Sequence, residues 1–138
     1  MKVSLGKIDE VDLYKLIEDL KSSSNNVGCI ILFIGVVRRE AASGGSVSHL
    51  YYEAYEELAI KKLKEIVDDA IDGERVFAAC IHHALGRIDV GKETMYVGVA
   101  AKHRNDGFNA IQDMIDKIKS EVPIWKKEVT DKGEYWIH

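Results

Sequence analysis

The chain holds a single proline, two cysteines, few aromatic residues (8%) and no excess of positive charge, and each shortage excludes a class of protein. With 19 lysines and arginines against 23 aspartates and glutamates, and a net charge of -4, it lacks the basic surface that general nucleic-acid binding needs to displace counterions. Any anion site must therefore be local. The longest apolar run, Val27 to Val37, falls well short of the ~20 residues of a membrane-spanning helix and contains Gly28 and Gly35. No succession of basic, apolar and small-residue regions marks a secretion signal, which predicts a cytoplasmic protein without membrane association. Cys29 and Cys80 lie in apolar, strand-like runs without CxxC spacing, the setting of buried unpaired thiols. Neither GxxxxGK[ST] nor GxGxxG occurs, and Gly44-Gly45 precedes a strand where a nucleotide loop would precede a helix. Internal repeats and low-complexity tracts are also missing. What is present, 138 residues with 46% hydrophobic and 30% charged, suits one compact domain over residues 1–138 with a core of its own.

Apolar periodicity divides that domain into elements. Met1 to Leu5 reads as a short strand. Asp9, with Asp12 three residues on, resembles a helix start with Ile8 as its staple, and Leu13, Leu16, Ile17 and Leu20 recur at helical spacing up to the polar loop Ser22 to Asn26. Gly28 to Val37 is apolar on both faces, which predicts a central strand ending in Arg38, Arg39 and Glu40. Glu40 to Ser46, with Gly44 and Gly45, predicts a mobile loop. Val47 to Ala54 follows as a strand, then Leu58, Ala59, Leu63, Ile66, Val67 and Ala70 as the buried stripe of a second helix closed by Gly73. Val76 to His83 and Glu93 to Ala101 are further strands, separated by a turn that Gly86 and Gly91 punctuate. Phe108, Ile111, Ile115 and Ile118 mark one face of a third helix, and Ile124 to Glu128 can pair with Glu134 to Ile137 across Asp131-Lys132-Gly133. The order departs from strict βαβ alternation, so the predicted class is α+β, a mixed β-sheet with packed helices.

The lone proline organises the most informative stretch. Pro123 has no backbone N–H and biases Val122 away from helical angles, so the helix carrying Lys119 must stop there and the chain must turn. Lys119 then sits on the last helical turn while Lys126 and Lys127 return past it on an extended segment. Such a group of amines suits an anionic ligand, and each ammonium lowers its neighbours' proton affinity, which favours the neutral, nucleophilic form. Arg38 after one strand and His103-Arg104 after another add positive points at element ends, where a rigid scaffold presents groups to ligands. Arginine offers a planar fork for phosphate or carboxylate, histidine exchanges protons near neutral pH, and lysine can act as acid, base or nucleophile. Taken singly, each has an ordinary explanation: a solvated strand end, a polar loop, a snorkelling lysine that favours the helix dipole. Cys80, His82 and His83 could suggest a metal, but strand alternation puts His83 on the face opposite Cys80 and His82, so neither a metal nor a cofactor is predicted. Tyr51, Tyr52 and Tyr55 could form a stacking platform or simply pack across strands.

The segments Phe33-Ile34-Gly35-Val36-Val37-Arg38, Leu50-Tyr51-Tyr52-Glu53-Ala54-Tyr55, His103-Arg104 with Phe108, and Lys119 with Pro123-Ile124-Trp125-Lys126-Lys127-Glu128 together resemble, in matching order, the MoaE family, the large catalytic subunit of molybdopterin synthase. The resemblance implies an α/β hammerhead-type fold and a homodimer within a heterotetramer, with a small ubiquitin-like sulfur-carrier subunit at each end. It implies that two sulfurs pass from carrier C-terminal Gly-Gly thiocarboxylates to cyclic pyranopterin monophosphate, forming the molybdopterin dithiolene used in molybdenum cofactor biosynthesis. Carried over by position, pterin and phosphate contacts fall on Val36, Val37, Arg38, His103, Arg104, Lys126, Lys127 and Glu128. Lys119 becomes the essential lysine beside the carrier's terminal glycine, and Lys126 its helper. The resemblance also suggests that His103 and Arg104 act across the dimer.

Two features depart from the family pattern. Where relatives read His-Arg before the glycine of the turn, this chain has His83-Ala84, so that arginine's role is absent or moved. The sequence ends Trp136-Ile137-His138 and not Gly-Gly, which makes the carrier a separate polypeptide, and its short end leaves open any tail contribution to the pocket. The competing expectation is a non-catalytic domain that binds an acidic protein tail or small anion with the same basic group.

Overall fold

The computed structural model describes residues 2–137. The expected first strand is β1 (Val3–Gly6), Met1 lying outside the described residues. Asp9 falls in a single 3₁₀ turn, and helix α1 (Leu13–Lys21) starts only after Asp12, whose carboxylate accepts the Lys15 N–H at 3.1 Å. Its Leu16 and Leu20 are buried at helical spacing. Helix α2 (Glu56–Ala70) buries Ala59, Leu63, Ile66 and Val67, and helix α3 (Arg104–Glu121) buries Ile111, Met114 and Ile118. Gly107 lets α3 lie flat on the sheet, since a Cβ there would come within 2.7 Å of the Ile31 Cδ1. Val122 is extended, at φ -90° and ψ 129°, so the helix ends where Pro123 demands.

The strands form two four-stranded sheets among the described residues, where the sequence predicted one mixed sheet. The first joins β1, β4 (Val76–Ala84), β6 (Glu93–Ala101) and β2 (Cys29–Val36) in that order, parallel between β1 and β4 and antiparallel elsewhere. The second joins β5 (Gly86–Asp89), β3 (Val47–Ala54), β7 (Ile124–Thr130) and β8 (Gly133–Ile137), all antiparallel. The stretch from Gly86 to Gly91, expected as a turn, therefore contains a strand. Gly86, at φ 78°, makes the sharp change of direction that carries the chain from one sheet into the other.

Helices α2 and α3 cover one face of the first sheet, enclosing Leu63, Ile81, Val97, Val99 and Met114. Each such buried aliphatic side chain contributes roughly 1.5–3 kcal/mol. Helix α1 covers the opposite face over Cys80 and Ala100. The class is thus α+β with helices packed on a mixed sheet. One expectation fails: β2 pairs only with β6 and is an edge strand, not a central one. Its first half is apolar on both faces because Cys29 and Ile31 pack toward α3 while Ile30 and Leu32 pack toward α1. In its second half Phe33, Ile34 and Val36 are exposed, Val36 at 55%. No helix among the described residues is long and apolar enough to cross a membrane.

Candidate functional site

The two sheets meet around a cleft of about 750 Å³ at the C-terminal end of α3. Lys119 arrives on the last turn of α3, and the Pro123 turn, docked by its carbonyl to the Tyr55 N–H at 3.1 Å, leads β7 back so that Lys126 lines the same space. From another direction β2 delivers Phe33 to Val36, followed by Val37 and Arg38, while β3 contributes Tyr52, β4 His83 and β6 Thr94 and Met95. The β2–β6 register slips between Gly35 and Val36, skipping Thr94, and a Cβ at Gly35 would collide with the Thr94 hydroxyl. A bulge next to a cleft re-aims side chains, here the segment that ends in Arg38.

Electrostatics tie the groups together. Burial is the main cause that lowers the proton affinity of half-buried Lys126; Glu128 opposes it, and the charges of Lys119 and Arg38 lower it further. Burial likewise pushes the His83 pKa down, the Ala84 carbonyl resists, and Lys126 adds to the lowering. Nδ1 of His83 lies 2.7 Å from that carbonyl, which can only accept, so Nδ1 carries the proton of the neutral ring. The ring stands edge-on to Tyr52, centroids 4.9 Å apart, and burial raises the Tyr52 phenol to about 12 with the Thr94 side chain opposing. Tyr52 and His83 are therefore uncharged at neutral pH, and the cleft's positive character rests on its lysines and arginine.

Of the residues singled out in the sequence, Val36, Val37, Arg38, Lys119, Lys126 and Glu128 line this cleft. Val37 is nearly closed off, its N–H bonded to the Lys92 carbonyl. Glu128 is buried, and both its oxygens are engaged: one accepts the Ala42 N–H at 3.1 Å, the other the Ser43 hydroxyl at 3.2 Å. The loop expected to be mobile is therefore tied to β7. Lys127 departs from expectation, since alternation along β7 turns it to the other face, where Nζ lies 5.6 Å from the Tyr51 ring centroid, 5.5 Å from that of Trp136 and 3.9 Å from Glu134. His103 and Arg104 are also not in this cleft: they begin α3, about 22 Å along the helix axis from Lys119.

The sequence reading missed Glu40, His83, Thr94 and Trp125 as lining residues, and it left Tyr52 undecided between stacking and packing. The signal for His83 was available: with Cys80 and His82 under the α1 face, period two turns His83 toward the second sheet. His82 hydrogen-bonds Ser4 at 2.6 Å on that other side. Among the described residues no three His, Cys, Asp or Glu side chains converge as metal ligands. Cys80 is buried and Cys29 partly so, both unpaired. Ala84, where the family resemblance leads one to expect arginine, is fully buried in an apolar group with Ile8 and Tyr96, while Arg87 is spent on exposed Asp89 at 2.9 Å.

Comparison with known proteins gives this cleft a context. A family model described as MoaE protein matches residues 7–121. A molybdopterin synthase catalytic subunit from Pyrococcus abyssi is 45% identical over 115 residues, 83% of this chain and 77% of that one. One from Bacillus subtilis is 37% identical over 117 residues, covering 85% and 74%. The crystal structure of molybdopterin synthase from Staphylococcus aureus superposes with a TM-score of 0.87 over 100% of this chain and 98% of that one, at 29% identity. At 23% identity, a Helicobacter pylori complex of subunits 1 and 2 of molybdopterin-converting factor shares the fold, with a TM-score of 0.75 over 98% of this chain and 88% of that one.

Proposed function

The chain belongs to the MoaE family of molybdopterin synthase catalytic subunits, sulfur-transferring enzymes, and on that premise we propose that the cleft seats cyclic pyranopterin monophosphate while the Gly-Gly thiocarboxylate of a small ubiquitin-like carrier enters beside Lys119. The observation that carries this reading is the arrival of Arg38, Lys119 and Lys126 at one cleft from three separate parts of the chain. The planar fork of Arg38 suits phosphate oxygens, and Tyr52, Met95 and Trp125 supply the apolar surface that a fused ring needs. Lys119 and Lys126 place positive charge where a tetrahedral oxyanion develops as the thiocarboxylate reacts. Opening the cyclic phosphate requires a proton on the departing oxygen, and the lowered proton affinity of Lys126 suits it to that transfer. Two sulfur transfers, one from each of two carrier thiocarboxylates, give the dithiolene, and water releases each carrier as its free C-terminal carboxylate.

His103 and Arg104 join the site through a second copy. They follow β6, whose last residue Ala101 pairs with Cys29 at the start of β2, whereas Val36 at the far end of β2 lines the cleft. Two copies joined edge to edge along β2 about a two-fold axis run antiparallel, so the start of each β2 lies beside the end of the other. The partner's His103 and the partner's Arg104 then approach the cleft mouth. The exposed Phe33, Ile34 and Val36 supply the apolar flank for this contact. A carrier at each end of the dimer completes a heterotetramer. The Helicobacter pylori complex of two subunits supports a partner of this kind.

The test is a mixture of the chain, thiocarboxylated carrier and pterin precursor. Dithiolene is expected from the wild type, and Lys119→Ala should abolish product while carrier binding persists. Undiminished turnover in that variant overturns the assignment of Lys119. A complex that forms without product returns the cleft to simple recognition of an acidic tail or anion.

A further inference from the structure

We propose that Glu128 is a positioning residue, a latch that holds the loop 39–47 in place as one wall of the cleft. This goes beyond the contact with substrate that the family resemblance implies, and it rests on the proposed function only for the loop's importance to turnover. The loop leaves the cleft at Arg38 and returns at Val47. Its neck is closed by the Val47 N–H to the Arg39 carbonyl at 2.7 Å and a bridge between Glu40 and Ser46. Inside, the Ala41 N–H reaches the Gly45 carbonyl and the Gly44 N–H reaches the Ala41 carbonyl, both at 3.2 Å, and Ala41 is buried against the apolar group of Val37, Leu50 and Tyr52.

The Asp131 N–H to the Ser46 carbonyl at 3.1 Å ties the neck to the second sheet, and Ala41 packs on Leu50 and Tyr52 of β3; two carboxylates add side-chain ties. Glu128, 6% exposed, takes the Ala42 N–H and the Ser43 hydroxyl, and Asp131 takes the Ser46 N–H at 2.9 Å. The Asp131 bond is exposed and sits at the neck, so the tip is held by Glu128. A buried carboxylate must have its lone pairs satisfied, and these two donors satisfy one on each oxygen. Glu40 and Ala42 of the lobe line the cleft, and Arg38 stands at its base. Truncating Glu128 leaves the Ala42 N–H without its partner and lets the lobe swing, which removes the wall and loosens the backbone that aims Arg38.

The experiment measures amide hydrogen exchange at Ala42 and Ser43 in the free enzyme, together with kcat and KM for the pterin, in the wild type, Glu128→Ala, Glu128→Gln and Ser43→Ala. Loss of a charge-assisted bond predicts at least about tenfold faster exchange at Ala42 in Glu128→Ala and a comparable rise in KM; because the Glu128 charge also raises the proton affinity of Lys126, kcat is compared with that of Glu128→Gln, which lacks the same charge. Glu128→Gln keeps an oxygen for the Ala42 N–H and an amide that can donate to the Ser43 oxygen, so it should restore most protection and most of KM. Ser43→Ala should show a smaller increase in both, and it decides the matter if Glu128→Ala fails to fold. Unchanged exchange in Glu128→Ala and Ser43→Ala, or faster exchange with KM unmoved, overturns the latch. If the wild type makes no product, the proposed function fails, while exchange alone still decides whether Glu128 holds the loop.

Discussion

Replacing Gly35 with alanine isolates a single contact at the heart of the cleft. The added Cβ would collide with the Thr94 hydroxyl, whereas its next neighbours, the Met95 Cγ at 3.4 Å and the Phe33 Cε1 at 3.6 Å, are at ordinary contact distance. Gly35 is not among the residues with positive φ, so backbone strain adds nothing and the hydroxyl is the whole obstacle. Overpacking of this kind costs about 1–3 kcal/mol. At this chain length each kcal/mol lowers Tm by roughly 3–5 °C. Thr94→Ala alone should cost about 1 kcal/mol, because it removes a buried hydroxyl beside the Tyr52 phenol. The double variant, in which the new methyl occupies the space of the lost hydroxyl, should be more stable than the sum of the singles by roughly 1 kcal/mol or more. Denaturant unfolding of the four proteins measures that coupling. Strict additivity would refute the claim that the Thr94 hydroxyl is the one obstacle to a side chain at position 35.

Other perturbations test separate parts of the structure. Removing the positive charge of Arg38 (Arg38→Ala) should raise the proton affinity of Lys126, because that charge helps to lower it; NMR titration of the lysine ε position reads the shift, and a shift downward contradicts the arrangement. Asp72 accepts the N–H groups of Glu74, Arg75 and Val76, which hold its pKa at about 2, below the usual 3.8. Its contribution to stability is complete above pH 3.8 and is lost as pH falls through about 2, so Asp72→Asn should flatten the acid limb of a stability–pH curve. Ile34→Lys puts a charge on the open flank of β2 and should shift light-scattering mass toward the monomer and cut turnover together; loss of one without the other argues against a shared site.

Much of this architecture is legible in the sequence, and the failures have physical causes. The three helices declare themselves through stripes such as Leu63, Ile66 and Val67, and the end of α3 through Pro123. The identity of β2 as an edge does not, because helices on both sides impose the same two-faced apolarity that flanking strands accompany in a central position. Strand β5 escaped notice because four residues beginning in glycine carry too short a pattern. The order of the loop 39–47 could not be read locally, since its anchors, Glu128 and Asp131, lie some 85 positions away. For the site, sequence proximity misled in the case of Lys126 and Lys127, which a pleated strand points in opposite directions, whereas the separation of His103 and Arg104 from Lys119 follows from their places at opposite ends of α3.

The composition of β2 has a cost for the cell. Cys29–Val36 carries no charge and no proline, the usual guards against stray strand addition. A newly made chain therefore exposes a template that will accept whichever β-segment reaches it first. If β2 is the dimer edge proposed above, overproduction that outruns pairing should accumulate as precipitate and not as spare single copies.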